Sequence, residues 1–249
     1  MRPLIAKIKP ANGFSRVLQL SLNALLPLAV FILVRIDFVQ LALIIILLSK
    51  WRMLAVRVRF WPANIRANAV DIMVSVSLLL FMVNSRSQIV QLLWAVAYGV
   101  WLIALKPASS TLMVSVQAFI GMVCGLMALS VGWDAAPLYG LVAATGLICY
   151  LAAHHFFDSF DEPYARLLSY LWGYFGAALM WVLGHWLLYY SIVSQPTLLL
   201  VSLGFGLSAL YYLDHLEKLS TNIRRQIVFV LFAIVIIVVA FSDWGNKIV

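Results

Sequence analysis

Ionisable side chains concentrate in one short stretch, residues 154–166, between two long apolar runs. Imidazole and carboxylate groups together can ligate zinc or iron, and histidine can relay protons because it titrates near neutral pH. The candidate residues in this stretch are His154, His155, Asp158, Asp161, Glu162 and Arg166. His154 and Asp158 are four residues apart, so they share one face if the preceding helix continues. The stretch therefore predicts a ligand site, a proton site or a metal site.

A second group of the same chemistry, Asp214, His215 and Glu217, follows a later apolar run. If the connecting helices cross a membrane, both groups reach the same face, where three of the four histidines then converge. Metal ligands would be drawn from His154, Asp158 and His215. These are weak metal candidates, because the sequence has no compact motif such as His-Glu-x-x-His. The sequence therefore requires no cofactor.

Asp71 is a further candidate, because it lies about one turn inside an apolar run, where an ionised side chain is costly and commonly functional. Asn64, Asn68, Asp71 and Ser75 are spaced four, three and four residues apart, which predicts one shared helical face. We expect either Arg66 or His215 to be the partner of Asp71. The alternative is that Asp71 only caps the start of its helix.

Ordinary helix capping explains much of the same pattern. Cations are favoured at helix C-termini and anions at N-termini, by roughly 0.3–1 kcal/mol each. Asp161 or Glu162 before Pro163 is a common helix start, and Arg166 can pair with either acid. A purely structural role for residues 154–166 therefore stays open beside the predicted site.

Two short segments resemble motifs of the CAAX-type membrane proteases. Residues 161–166, Asp-Glu-Pro-Tyr-Ala-Arg, resemble the family's Glu-Glu-x-x-x-Arg, and residues 181–185, Trp-Val-Leu-Gly-His, resemble its Phe-x-x-x-His. The first acid is Asp instead of Glu, and Pro163 interrupts the motif. One continuous helix would also hold His185 roughly 30 Å from Asp161. The chain is therefore not assigned to that family.

The elements that position these residues are membrane helices. Of 249 residues, 65% are hydrophobic and 10% are charged, and the mean hydropathy is +1.03. A soluble domain carries about 25% charged residues, and one membrane-spanning helix needs about 20 apolar residues. The sequence therefore predicts an all-α, polytopic integral membrane bundle of about nine transmembrane helices. Residues 1–249 form a single transmembrane domain in this interpretation.

Basic residues predict the orientation of the bundle, because cytoplasmic loops of membrane proteins are enriched in Lys and Arg. With nine spans and a cytoplasmic N-terminus, all but three of the 17 basic residues fall on the cytoplasmic side. The three exceptions are Arg35, Arg86 and Lys247. Residues 1–16 become a basic cytoplasmic tail, and the C-terminus lies outside. We expect a multi-pass protein of the cell membrane, with a bacterial plasma membrane as the predicted location.

Residues 50–66 read as a basic and aromatic segment at the membrane interface. Its rings suit headgroup depth, and its cations can reach lipid phosphates. The residues expected to contact headgroups are Lys50, Arg52, Arg57, Arg59 and Trp61. The predicted partner is a bilayer with anionic headgroups on the cytoplasmic side. The net charge of +8 fits that partner and not nucleic acid.

Small residues predict which helices pack inside the bundle, because helices in lipid associate where small side chains let backbones approach. The glycines expected at such contacts are Gly121, Gly125, Gly173, Gly176 and Gly206. We expect the core spans within residues 67–83 and 111–213. The same faces leave open a protein partner or a homo-oligomer.

These features predict a small transporter or ligand-binding membrane protein with a polar site near the cytoplasmic face. A structural or scaffold subunit of a membrane complex is the first alternative. The second is a metal-dependent membrane enzyme acting on a lipid or prenyl substrate. The sequence contains no Gly-x-Ser-x-Gly, no phosphate-binding Gly loop and no Cys-x-x-Cys, so it favours a protein without enzymatic activity.

Overall fold

The computed structural model of the protein describes residues 13–133, 136–185 and 194–241, and leaves the side chains of residues 13–20 and Arg52 undescribed. Within these ranges the chain is 83% helical and contains no strand, so the all-helical prediction is confirmed there. Most of the predicted tail at residues 1–16 lies outside the described ranges. The helices are α1 (Gly13–Arg35), α2 (Val39–Ser49), α3 (Trp61–Ala67), α4 (Ala69–Asn84), α5 (Gln88–Val100), α6 (Thr111–Gly132), α7 (Leu138–Asp158), α8 (Ala165–Leu183), α9 (Gln195–His215) and α10 (Thr221–Ala240).

In the described part of the chain, five helices are long and apolar enough to cross a membrane. They are α5 with its extension to Leu105, and α6, α7, α9 and α10. A sixth span results if Val58–Ala67 and Ala69–Asn84, which are bent by 65°, count as one. Helix α2 and the Ser21–Arg35 part of α1 are shorter apolar helices. The helices are compatible with a membrane protein, while nine spans and the orientation stay predictions.

Helix α4 is the most buried element, and α10 is the most exposed. Ten residues of α4 are buried, whereas α10 has no buried residue. Buried apolar side chains form a large cluster among α1, α2, α4 and α5, and a smaller one among α6, α7 and α9. The side chains that α10 exposes are apolar, such as Phe229 and Phe232, which suits a lipid environment better than water.

The polar stripe predicted around Asp71 does not lie on one continuous helix. Helix α3 ends at Ala67, α4 begins at Ala69, and the chain bends between them. Asn68 at the bend donates its side-chain N–H to the backbone oxygen of Asn64 at 2.8 Å. Such local side-chain bonds compete with regular helix geometry. The single face predicted for this stripe is therefore wrong, because residue spacing carries no information about a bend.

Each of the five predicted packing glycines faces a neighbouring helix. An added Cβ at Gly121 would lie 2.8 Å from Val70 Cγ1 of α4, and one at Gly125 would lie 3.0 Å from Ile148 Cγ2 of α7. The other three face α7 or α10: Gly173 meets Tyr150, Gly176 meets Cys149, and Gly206 meets Leu231. Helices α7 and α8 pack closely, because Gly146 and Gly173 allow the two backbones to come together.

Gly173→Ala should lower the free energy of unfolding by about 1–3 kcal/mol more than Gly99→Ala does. The new Cβ would meet Tyr150 Cβ at 2.9 Å and the backbone oxygen of Gly146 at 3.0 Å, and neither atom can swing away. Gly99→Ala is the control, because its Cβ would meet only Pro27 Cγ, at 3.9 Å. Thermal unfolding in detergent measures the difference. Equal unfolding temperatures for the two variants would show that α7 and α8 are not tightly apposed.

Candidate functional site

Asp71, in the first turn of α4, is the centre of a charge cluster. Lys50 Nζ, at the end of α2, forms an ion pair with Asp71 Oδ2, and Lys106 Nζ lies 2.7 Å from the same oxygen. Trp101 Nε1 donates a hydrogen bond to Asp71 Oδ1 at 3.0 Å. The predicted partners Arg66 and His215 are therefore wrong. We call Lys50, Asp71, Trp101 and Lys106 the Asp71 cluster.

A π-helical turn explains why Trp101 and Lys106 reach the same carboxylate. Residues Trp101–Leu105 continue α5 in π geometry, and Lys106 N donates to Trp101 O at 2.8 Å. In this geometry the bond joins residues five apart, so the two residues lie closer to one side of the helix than they would in an α-helix. In a regular α-helix they would point in different directions. The wider turn thus places one donor and one cation on Asp71.

The Asp71 cluster carries one surplus positive charge. Two ammonium groups face a single carboxylate, whose side chain is 9% exposed. Burial lowers the pKa of Lys50 to about 8, although the negative charge of Asp71 opposes this effect. The carboxylate of Asp71 thus favours the protonated form of Lys50, against the effect of burial. Burying such a charge would be prohibitive without its partner, so Asp71 and Lys50 depend on each other.

Gln117 of α6 connects the Asp71 cluster to α7. Its Nε2 donates to the backbone oxygens of Leu105 and Ala108, at 2.6 and 2.9 Å, in the turn that carries Lys106. Its Oε1 lies 3.2 Å from His155 Nε2, which donates to it. His155 therefore bonds to the amide of Gln117, and polar contacts join α7, α6 and the turn after α5.

Glu162 and His215 meet Tyr211 in an aromatic cluster. The hydroxyl of Tyr211 donates to Glu162 Oε2 in the turn between α7 and α8. The His215 ring lies edge-on to Phe160, with centroids 4.9 Å apart, and parallel to Tyr211 at 6.4 Å. This cluster, Gln117 with His155, and the Asp71 cluster lie where α2, α5, α7 and α9 end. We call this side of the bundle the polar end.

The other predicted site residues lie near the ends of α7 and α9 and at the start of α8. His154 has a ring contact with Tyr150, at 5.9 Å between centroids. Asp161 and Glu217 occupy left-handed turns, with φ of 53° and 56°, that follow α7 and α9. The exposed members of the set are Asp158, Asp161, Arg166, Asp214, His215 and Glu217. Their positions suit turn and cap roles at least as well as ligand contacts.

Metal ligation finds no support in the described ranges. They contain no group of three or more His, Cys, Asp or Glu residues close enough to hold a metal ion. His154, Asp158 and His215 therefore do not form a ligand set with one another. The sequence could not decide this, because His215 comes from a different helix.

Of the residues predicted to contact lipid headgroups, some are buried and others are exposed. The ammonium of Lys50 is buried against Asp71, with 5% of its side chain exposed. Arg57 and Arg59 are exposed, and Arg59 lies over the ring of Phe60 at 5.4 Å. Trp61 Nε1 donates to the backbone oxygens of Leu54 and Val56, both at 3.1 Å. The side chain of Arg52 lies outside the described residues.

An apolar cavity of about 480 Å³ lies between α6, α7, α8 and α9. Its volume is within the range of about 300–1,000 Å³ that is typical of small-molecule sites. Its wall is mostly aromatic and aliphatic, and the lining includes Met122, Phe156, Trp172, Phe175, Gly204 and Tyr211. No sequence pattern predicted the cavity, although small residues on α6, α7 and α9 were a signal for space between helices.

The hydroxyl of Tyr211 connects this cavity to the polar end. Tyr211 lines the cavity and donates to Glu162, and Ser115 and Ser208 also contribute to the lining. Ala118 in the α6 wall directly follows Gln117. The cavity thus offers a long apolar surface with a few polar groups near one end. That arrangement can accommodate a molecule with a hydrocarbon part and a polar part.

The two segments that resemble CAAX-type proteases lie at opposite ends of α8. This helix is continuous from Ala165 to Leu183, so about 22 Å of helix separates Arg166 of the first segment from Trp181 of the second. His185 Nδ1 donates locally to the backbone oxygen of Trp181 at 2.6 Å. No protein-family model, no curated protein and no solved structure matches this chain. A function for it must therefore be argued from the geometry of the polar end and the cavity.

Proposed function

We propose that this chain is a multi-pass membrane protein that binds a lipid-like ligand in the cavity between α6, α7, α8 and α9. The observation that supports this proposal is the cavity itself, which has a volume of about 480 Å³ and a mostly apolar lining. A scaffold subunit needs no cavity of this size, and packed protein interiors rarely leave one. The cavity therefore favours a ligand-binding protein or transporter over the structural alternative.

The lining argues for a hydrocarbon chain as the bound part of the ligand. Phe156, Trp172 and Phe175 offer flat apolar surfaces, and the hydroxyl groups that line the cavity belong to Ser115, Ser208 and Tyr211. A polar solute would leave many of its hydrogen bonds unmade there, at a cost of about 1–3 kcal/mol for each group. A hydrocarbon chain leaves no hydrogen bond unmade there and contacts the wall by dispersion, as it does its neighbours in the bilayer.

The polar part of the ligand would lie beside Tyr211, at the polar end of the bundle. Nine spans with a cytoplasmic N-terminus put that end at the cytoplasmic face, where most basic residues of the sequence then fall. Glu162 already accepts from Tyr211, so a ligand group can share or replace this bond. In this proposal the ligand enters sideways from the bilayer, because Leu171, Phe175 and Leu207 line the cavity and are also exposed.

Photo-crosslinking with a lipid that carries a diazirine in its acyl chain tests the proposal. We expect labels to concentrate on peptides of the cavity wall, around Met122 of α6 and Gly204 of α9. Helix α10 is the internal reference, since it has no buried residue and contacts any surrounding lipid. Labelling of the wall should exceed that of α10 per residue, and excess unlabelled lipid should reduce only the wall signal. Labelling in simple proportion to exposure would contradict a lipid site in the cavity.

A further inference from the structure

The Asp71 cluster has unused hydrogen-bond donors as well as surplus charge. Lys50 and Lys106 both contact Oδ2 of Asp71, and Trp101 occupies Oδ1, so both carboxylate oxygens are engaged. An ammonium group has three donors. In the described part of the chain, Asp71 is the acceptor for each of these ammonium groups. The cluster therefore retains N–H donors and one positive charge that Asp71 does not neutralise.

Access to these donors runs through Lys106. The side chains of Lys50 and Asp71 are 5% and 9% exposed, whereas that of Lys106 is 40% exposed. Lys50 is thus enclosed behind Asp71, and Lys106 forms the open edge of the cluster. An anion arriving from outside would meet Lys106 first, with the charge of Lys50 behind it. A partly buried position strengthens such an attraction, because water screens it less.

We propose that Lys106, supported by Lys50, forms a binding site for the phosphate group of an anionic membrane lipid. One added negative charge balances the cluster, and ammonium groups bind phosphate through charge-assisted hydrogen bonds. This site is formed by residues at the end of α2, in α4 and in the turn that ends α5, and none of them lines the cavity. It rests on charge and exposure at Lys106, so it stands independently of the proposed ligand of the cavity.

The neighbouring surface favours a lipid over free phosphate as the source of the anion. Val100 and Ile103 on α5, and Leu47 and Leu48 on α2, are all at least 41% exposed. These apolar side chains precede Lys106 and Lys50 on the two helices that carry the cluster. The acyl chains of a lipid can lie along them while its phosphate reaches Lys106. Inorganic phosphate would gain only the charge contact.

Titration of the full-length protein in neutral detergent with short-chain phosphatidylglycerol tests this site, with bound lipid counted by native mass spectrometry. Phosphatidylcholine, whose phosphate carries a compensating cation, and inorganic phosphate are the comparison ligands. We expect Lys106→Gln to weaken phosphatidylglycerol binding about tenfold, the equivalent of one charge-assisted hydrogen bond. Lys106→Arg should retain binding. Lys218→Gln, at an exposed lysine after α9, is the matched control and should bind as the wild type does.

A second measurement needs no variant. Short-chain phosphatidylglycerol should protect Lys106, but not Lys218, from acetylation by an amine-reactive reagent in the wild-type protein. Equal acetylation of Lys106 in phosphatidylglycerol and phosphatidylcholine would overturn the site, as would unchanged binding by Lys106→Gln. If Lys218→Gln lost as much phosphatidylglycerol binding as Lys106→Gln, the binding would reflect general attraction between basic residues and anions. That result would also overturn the site at Lys106. Equal protection by inorganic phosphate would overturn the assignment to a lipid.

Discussion

Replacing Asp71 with asparagine should lower the free energy of unfolding by about 3–5 kcal/mol. Asparagine keeps the shape and can still accept from Trp101, but it removes the only negative charge that Lys50 contacts among the described residues. The ammonium of Lys50, 5% exposed, would then be a buried and unpaired cation. Lys106 is less affected, because its half-exposed side chain can turn toward water. Denaturant unfolding in detergent micelles measures the change.

Two further variants separate the buried charge from a general effect of the substitution. Asp158→Asn makes the same chemical change at an exposed residue of α7 and should alter stability by at most about 0.5 kcal/mol. Adding Lys50→Met to Asp71→Asn removes the unpaired cation, so most of the lost stability should return. If Asp71→Asn were as stable as Asp158→Asn, the ion pair with Lys50 would contribute little and Asp71 would be only a helix cap.

Filling the cavity should abolish most lipid binding without unfolding the protein. Ala153 of α7 lines the cavity and is 8% exposed, so Ala153→Phe places a ring in the space proposed for the hydrocarbon chain. The ring excludes the chain sterically, and we expect a loss of affinity of about tenfold or more, which corresponds to about 1.4 kcal/mol or more. Photo-crosslinking of the acyl-chain diazirine lipid to the cavity wall measures this loss.

The matched control is the same substitution on the same helix. Ala143 is exposed and does not line the cavity, so Ala143→Phe should leave crosslinking unchanged. Overpacking at Ala153 can cost about 1–3 kcal/mol, so size-exclusion profiles must first show a folded protein. Ser208→Phe on α9 fills the cavity from another wall and replaces Ala153→Phe if that variant does not fold. Full crosslinking in a folded cavity variant would refute the proposed lipid site.

The helices and several of the polar positions could be predicted because their signals are local. Long apolar runs separated by short polar turns predicted the helices, and the described ranges are helical throughout their apolar runs. Asp71 was recognisable because a carboxylate inside an apolar run must find a partner. The glycines at helix contacts were recognisable by their small size. Each of these inferences needs only the residues within a few turns of one helix.

The partners of Asp71 could not be predicted, since they come from distant parts of the chain. Lys50 is 21 residues away and Trp101 is 30 residues away, beyond any helical spacing rule. The π-helical turn that aligns Trp101 with Lys106 leaves no recognisable pattern in the sequence. The absence of a metal-ligand group among the described residues, His154, Asp158 and His215 included, has a related reason. Proximity at the same end of a bundle does not place two side chains in contact.

By itself, the sequence determined that this protein is a bundle of apolar helices with its ionisable groups near helix ends, because hydropathy and charge act on each segment separately. Only the tertiary structure decided that Asp71 pairs with Lys50 and Lys106, that Gln117 connects His155 to the same turn, and that α6, α7, α8 and α9 enclose a cavity. The reason is physical: an ion pair between distant residues and an empty space between four helices depend on how the helices pack together.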